Sequence, residues 1–292
     1  VKKYYTMFFV TAFASCILLL AGSAHAGITL ANGYWSTTFN CADWTYYPGD
    51  NPNTGCDGLT RAVDGNSGYY IRINSADNNP NGGGGKGLGW QVGNGSGTST
   101  SPTGSNIEMA WGGSTHFWIR WYVSLPSGMP ISNATLKDWK VVYVYDAGGN
   151  GSSSFYIDTV GSDVISLYDR TNRSTGTYGF DDIYGSTSNG SWVAIEMEFD
   201  IPNHTWRYWV YKNNVDDSTP KYVSTSVSYR MSSIGLIKFP ENLKSSGIPN
   251  SPVRFRFDDI AISTKGRIGP VGAPGSGNDT LSPPTIVDLN AH

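Results

Sequence analysis

Thr115-His116-Phe117-Trp118-Ile119-Arg120-Trp121-Tyr122-Val123-Ser124-Leu125 alternates along its whole length. Phe117, Ile119, Trp121, Val123 and Leu125 form one apolar row, and His116, Trp118, Arg120, Tyr122 and Ser124 form the other. Successive side chains of a strand point to opposite faces, so this stretch predicts a strand with one row in a core and the other on a sheet face. A solvated row more often carries Thr, Lys and Glu. An aromatic and basic row predicts one of two things: a surface for something flat, hydroxylated and acidic, such as sugar rings, or a row covered by a further layer of chain.

Outward from that strand the same period recurs. It marks 33–39, 69–73, 139–145, 154–160, 163–168, 192–201, 205–212, 234–239 and 253–263 as strands. Short strands separated by turn residues, with no convincing amphipathic helix, predict an all-β fold: a two-sheet antiparallel β-sandwich. Composition agrees. The chain has 36 Gly, 13% aromatic residues and only 15% charged residues, so good helix formers are few. Its net charge of -3 speaks against a nucleic-acid partner. In the last strand Val253, Phe255 and Phe257 are apolar at odd positions, whereas Ile260 and Ile262 are apolar at even ones. A β-bulge at Asp258-Asp259 would restore one inward row. It would also place two carboxylates at a kink, where they serve either as ligands for a structural calcium or as acceptors for neighbouring backbone N–H groups.

The ends read differently from the middle. Residues 1–26 have the pattern of a cleaved signal peptide: Lys2 and Lys3, an apolar run, then Ala24-His25-Ala26. Its shortness and Lys-Lys start fit a bacterial source, and the product is expected to be secreted, extracellular or periplasmic. No later run approaches the ~20 apolar residues of a membrane span. Residues 27–270, about 240 in all, fit one sandwich domain. Residues 271–292 read as a Gly/Pro-rich linker and the start of a further module, which makes additional C-terminal domains expected partners. Cys41 and Cys56 are expected to pair in an oxidising compartment. For a loop of roughly 15 residues the bond is worth about 3 kcal/mol. Polar stretches at 78–87 and 93–105 read as long loops. Gly82-Gly83-Gly84-Gly85-Lys86-Gly87 is no phosphate loop, because neither Ser nor Thr follows the lysine and no helix-forming sequence comes next.

The strand Trp192-Val193-Ala194-Ile195-Glu196-Met197-Glu198-Phe199-Asp200-Ile201 is the sharpest chemical signal. Val193, Ile195, Met197, Phe199 and Ile201 form a core row, and Glu196, Glu198 and Asp200 project from the opposite face at ~7 Å intervals. Crowded carboxylates raise one another's pKa, so one can serve as acid while its neighbour stays ionised. Retaining glycosidases need two such groups about 5 Å apart. The alternative is an ordinary solvated face on which these acids pair with Lys and Arg.

The order of these strands carries a resemblance. An opening aromatic strand, Phe117-Trp118-Ile119-Arg120-Trp121-Tyr122 followed by Leu125-Pro126-Ser127-Gly128, then Lys140-Val141-Val142-Tyr143, the Trp192 strand and the closing Phe257-Asp258-Asp259-Ile260-Ala261-Ile262-Ser263 together resemble the concanavalin A-like lectin/glucanase superfamily, above all its bacterial polysaccharide-lyase-like members. Membership implies a jelly roll with a glycan across one concave sheet. Glucanase members carry Glu-x-Asp-x-Glu on a concave strand. Here Glu196-x-Glu198-x-Asp200 exchanges the second and third acids. Lyase members use a Tyr or His base with a cation or amide that neutralises the uronate, for which His116, Tyr122, Arg120 and Lys140 are of suitable type.

Two functions stay open. One is a glycan-binding module in which Trp118, Tyr122 and Trp192 stack on sugar rings, Asp200 adds hydrogen bonds, and Arg120 and Lys140 meet acidic groups. The other is a polysaccharide-cleaving enzyme, a lyase in the first place and a glycosidase in the second, drawing its catalytic residues from His116, Arg120, Tyr122, Lys140, Glu196 and Glu198. A ligand-free adhesion spacer is a further alternative. None requires a cofactor beyond the calcium considered at Asp258 and Asp259. Zinc-protease and serine-hydrolase motifs do not occur in the chain.

Overall fold

The computed structural model describes residues 28–46, 56, 59–64, 70–80, 82, 85–92, 104–124, 139–146, 152–160, 164–169, 192–227, 229, 231–239 and 253–271. The expected signal peptide, the loop at 93–103 and the expected linker beyond residue 271 lie outside them.

Two antiparallel sheets make up the described part. The larger has β13 (Tyr222–Ser224), β12 (Thr205–Lys212), β11 (Trp192–Asp200), β7 (His116–Ser124), β15 (Val253–Ser263), β5 (Gly87–Val92), β4 (Tyr70–Asn74) and β2 (Trp44–Tyr46) side by side, and β1 (Tyr34–Thr37) also pairs with β15. The smaller has β10 (Val164–Asp169), β9 (Ser152–Val160), β8 (Trp139–Tyr145), β14 (Ile234–Phe239), β6 (Gly104–Ser114) and β3 (Thr60–Asp64). This is the antiparallel sandwich that the alternation predicts.

The core forms where the apolar rows meet. Phe117, Ile119, Trp121 and Val123 of β7 share one cluster with Val193, Ile195, Met197 and Phe199 of β11, and with Ile107, Val144, Ile237 and Phe239 of the smaller sheet. Phe117 and Phe199 are register partners and their rings stack at 4.9 Å. Phe239 reaches across to the edges of Trp121, at 5.2 Å, and Phe257, at 5.0 Å. Each such buried side chain contributes roughly 1.5–3 kcal/mol, so these rows hold the sheets together.

β15 carries the irregularity read from its slipped alternation. Asp258 pairs with Tyr122 and Ala261 with Arg120, so the strand spends one extra residue there, and Asp259 takes a left-handed φ of 48°. The extra residue returns Ile260 and Ile262 to the core.

Cys41 and Cys56 are bonded, with Cα atoms 5.3 Å apart. Replacing both by serine is expected to lower the unfolding free energy by about 3 kcal/mol, measured from the denaturant midpoint of the oxidised parent and the variant. A variant as stable as the parent would show that this segment unfolds apart from the core. No helix among the described residues is long and apolar enough to cross a membrane.

Candidate functional site

β7 and β11 are neighbours, and their register puts Asp200 opposite His116, Glu198 opposite Trp118, Glu196 opposite Arg120 and Ala194 opposite Tyr122. All of these lie on the face away from the core row, so the aromatic-basic row and the acidic row share one side of one sheet. β12 adds Arg207, Trp209 and Tyr211 as partners of Glu198, Glu196 and Ala194.

The middle of this face is roofed. After β15 the chain turns back at residues 264–271 and lies over it. Glu196, fully buried, accepts Ile268 N–H at 2.6 Å on Oε1, and Gly269 N–H at 2.9 Å and the Tyr211 hydroxyl at 2.7 Å on Oε2. Arg120, also buried, donates to the carbonyl oxygens of Gly269 at 3.0 Å and Asp259 at 3.3 and 3.4 Å. Tyr122 accepts Val271 N–H at 2.8 Å and donates to Asn214 Oδ1 at 2.9 Å. Arg267 closes the side of the roof on Asp216 at 2.6 Å and on the Tyr211 hydroxyl at 2.9 Å. Burial pushes the Glu196 carboxyl up from its usual range, against the opposing pull of the Ile268 N–H, the Tyr211 hydroxyl, the Gly269 N–H and the Arg120 charge. Burial and the Glu196 charge likewise raise the Tyr211 phenol, while Asp216 holds Arg267 firmly protonated.

One end of the face stays open. The His116 ring packs at a 35° tilt against Trp118 with centroids 4.3 Å apart, and its Nε2 lies 2.8 Å from Glu198 Oε1. Arg207 donates to the other oxygen, Glu198 Oε2, at 2.5 Å. Asp200 is held by Asn203, whose backbone N–H and side-chain amide reach it at 3.2 and 2.8 Å. The carboxyl groups of Glu198 and Asp200 are almost fully buried, whereas the side chains of His116 and Arg207 are 39% and 35% exposed. Trp118 is half-buried, packed against Tyr34, Ala261 and Ile268.

The structure therefore brings His116 and Trp118, both partly exposed, together with the buried carboxylates of Glu198 and Asp200 at the unroofed end, and places Arg120, Tyr122 and Glu196 under the roof. Trp192 stands at the opposite end of β11, opposite Ser124, with the Arg256 guanidinium 5.4 Å from its ring centroid. Lys140 belongs to β8 of the smaller sheet, apart from all of them. Arg207 and the segment 264–271 have no counterpart among the sequence candidates. Arg207-x-Trp209-x-Tyr211 is the outward row of a strand whose alternation was legible, so reading both rows of 205–212 would have found it.

Asp258 and Asp259, at the bulge, are both buried. Asp258 accepts the backbone N–H groups of Asn79 and Asp259, each at 2.7 Å, and Asn79 Nδ2 lies 3.2 Å from Asp259 Oδ2. Burial first, and the Asp259 charge second, push the Asp258 carboxyl up to about 8. A Cβ on Gly82 would stand 1.8 Å from Asp259 Oδ2, so any larger residue there would have to displace that carboxylate. Asn78 Oδ1 is a buried acceptor with no hydrogen-bond donor. Two neighbouring buried carboxylates are oxygen donors of the kind that suits a hard cation such as calcium.

Two stacked antiparallel sheets form the β-sandwich that the strand pattern predicts. No family model matches this chain, and no curated protein matches it. Among solved structures it is similar to a variant of alginate lyase Aly36B in complex with alginate trisaccharide (TM-score 0.49, 12% identity, 79% of this chain and 98% of that one). It is also similar to the cellulose induced protein Cip1 (TM-score 0.48, 14% identity, 72% and 93%) and to lectin II from Ulex europaeus (TM-score 0.45, 9% identity, 77% and 98%).

Proposed function

We propose that this chain is a secreted module that binds an acidic polysaccharide at the open end of the larger sheet. The supporting observation is the His116–Trp118 ring contact beside Arg207. The exposed part of the Trp118 indole is a platform for the apolar face of a sugar ring. Glu198 fixes both His116 and Arg207 from beneath, so the two donors are pre-positioned, and the part of the guanidinium left in solvent is free to meet a uronate carboxylate. The Cys41–Cys56 bond is compatible with an extracellular setting.

The test is affinity for a uronate oligosaccharide by calorimetry. Trp118→Ala is expected to weaken binding about tenfold, and Arg207→Ala by a similar factor that shrinks as salt rises. An unchanged Kd in both variants would place any glycan elsewhere.

The His116–Glu198 contact favours a second reading, β-elimination. His116 would take the C5 proton of the uronate while Arg207 neutralises its carboxylate; the C–H electrons would form the C4–C5 double bond, and the C4–O bond would break with its oxygen taking a proton. Ultraviolet absorbance of an unsaturated product, lost in His116→Ala, would establish this reading. Glycan binding without absorbance would leave the binding module.

Calcium completes the proposal as a structural ion, with Asp258 and Asp259 as the residues that would hold it. Bound there, it would neutralise the carboxylate pair and tie the loop around Asn79 to the bulge of β15.

A further inference from the structure

The glycan reading uses the partly exposed donors of the open end, His116 and Arg207, with Glu198 holding both, and gives Asp200 no task. We propose that His116, Glu198 and Asp200 hold a divalent transition-metal ion, of the zinc or manganese class, which offers its remaining coordination positions to oxygen atoms of the bound glycan. Its second half rests on the glycan reading; the ion site itself does not.

One ligand atom from each of the three residues lies within 4.8 Å of the others. His116 Nε2 is 2.8 Å from Glu198 Oε1 and 3.9 Å from Asp200 Oδ2. Two donors each about 2.1 Å from a common ion are about 3.0 Å apart at a right angle and about 3.4 Å apart at a tetrahedral angle. The observed spacings straddle those values, so small rotations of side chains on two hydrogen-bonded strands would close the site. In the free protein the imidazole and Glu198 Oε1 satisfy each other, and the ion would replace that hydrogen bond.

Charge points the same way. Asp200 is 5% exposed, and among the described residues it has no Lys or Arg within ion-pair distance, only the imidazole at 3.9 Å. Its burial is offset by the two Asn203 hydrogen bonds and not by a Lys or Arg charge, so a cation beside it would be stabilised. Arg207 is committed to Glu198 Oε2 and leaves Oε1 for the ion. Asn203 donates to both Asp200 oxygens, Oδ2 included, and so fixes the carboxylate as outer hydrogen bonds fix metal-binding carboxylates. With two carboxylates and one guanidinium the cluster carries one net negative charge, and a divalent ion would turn it to one positive, the sign that attracts a uronate. One imidazole nitrogen and two carboxylate oxygens select against calcium, which takes oxygen ligands alone, and so separate this site from Asp258 and Asp259. The exposed side of His116 provides the entry path.

The test uses the whole mature chain after treatment with a chelator. Zinc, manganese and calcium, each alone, are titrated by calorimetry into the parent and into His116→Ala, Asp200→Asn and Asp258→Asn. One saturable zinc or manganese site per chain is expected. It should weaken at least tenfold in His116→Ala and Asp200→Asn and persist in Asp258→Asn. No saturable binding by the parent, or binding unchanged in the first two variants, overturns the site. The same samples are then titrated with a uronate oligosaccharide with and without zinc. Glycan affinity that rises with the ion in the parent but not in His116→Ala supports the bridge. Affinity indifferent to the ion overturns the bridge, and ion binding with no glycan binding at all overturns the glycan reading while the metal site stands.

Discussion

Glu196→Ala is expected to lower the unfolding free energy by about 3–5 kcal/mol, the usual cost of removing one partner from a buried charged network. Three donors converge on this carboxylate: the backbone N–H groups of Ile268 and Gly269 and the Tyr211 hydroxyl. Alanine strands all three and removes the carboxylate charge opposite the buried Arg120, whose hydrogen bonds go to backbone carbonyl oxygens. Glu196→Gln should recover part of the loss, because its carbonyl oxygen still accepts while its NH2 faces a backbone donor. The denaturant midpoint measures the loss, and hydrogen exchange locates it. Faster exchange at Ile268 and Gly269, with β7 and β11 still protected, means that the roof has come off an intact sandwich. Loss of all protection together would mean that roof and sheets unfold as one unit.

The same residues show how much of the molecule can be read from sequence. Alternation in 115–125 and 192–201 is a local property, and it assigned inner and outer rows correctly: Phe117, Ile119, Trp121 and Val123 lie in the core, and Glu196, Glu198 and Asp200 point away from it. The slip at Asp258-Asp259 was legible for the same reason, since a bulge is the local remedy for a broken period. Pairing is not local. That β7 and β11, some eighty residues apart, lie side by side is a fact of topology, and only it places both rows on one face.

Strands that break the pattern were also hidden. Gly87-Leu88-Gly89-Trp90 looks like loop, yet β5 runs through it. A Cβ on Gly87 would stand 1.8 Å from the Asp77 carbonyl oxygen, so glycine is there for close approach of the turn at Ser75–Asp77 rather than for a bend. The roof was hidden more deeply. Nothing in Lys265-Gly266-Arg267-Ile268-Gly269-Pro270 announces that its backbone amides meet a carboxylate on β11; only the geometry divides the outward row into a covered middle and an open end. The two alternatives for that row, a sugar-holding surface or one covered by chain, turn out to describe neighbouring parts of a single strand: Arg120 and Tyr122 are covered, while His116 is open and Trp118 half open.

Calcium is expected to stabilise this protein by about 4 kcal/mol at a thousandfold excess over its Kd, and by less in acid than in mild alkali. The pH dependence follows from Asp258, whose carboxyl is carried from an ordinary 3.8 to about 8 by burial and by Asp259. Between those two values the folded protein without an ion binds more protons at this carboxyl than the unfolded chain does. The stability contributed by this group is therefore fully present below the unfolded value and is lost as pH rises through the folded one. Calcium competes with the same proton, so its gain should be small at pH 5 and grow towards pH 8, opposite in sign to the trend of the metal-free protein. Asp258→Asn removes the titrating group: without an ion it should flatten the alkaline loss, and it should remove most of the calcium gain. Thermal midpoints of parent and variant at both pH values, with calcium or chelator, measure all of this. A calcium gain that is equal at the two pH values and survives in Asp258→Asn would place the ion away from the bulge, and the buried pair would then serve only to accept the backbone amides of Asn79 and Asp259.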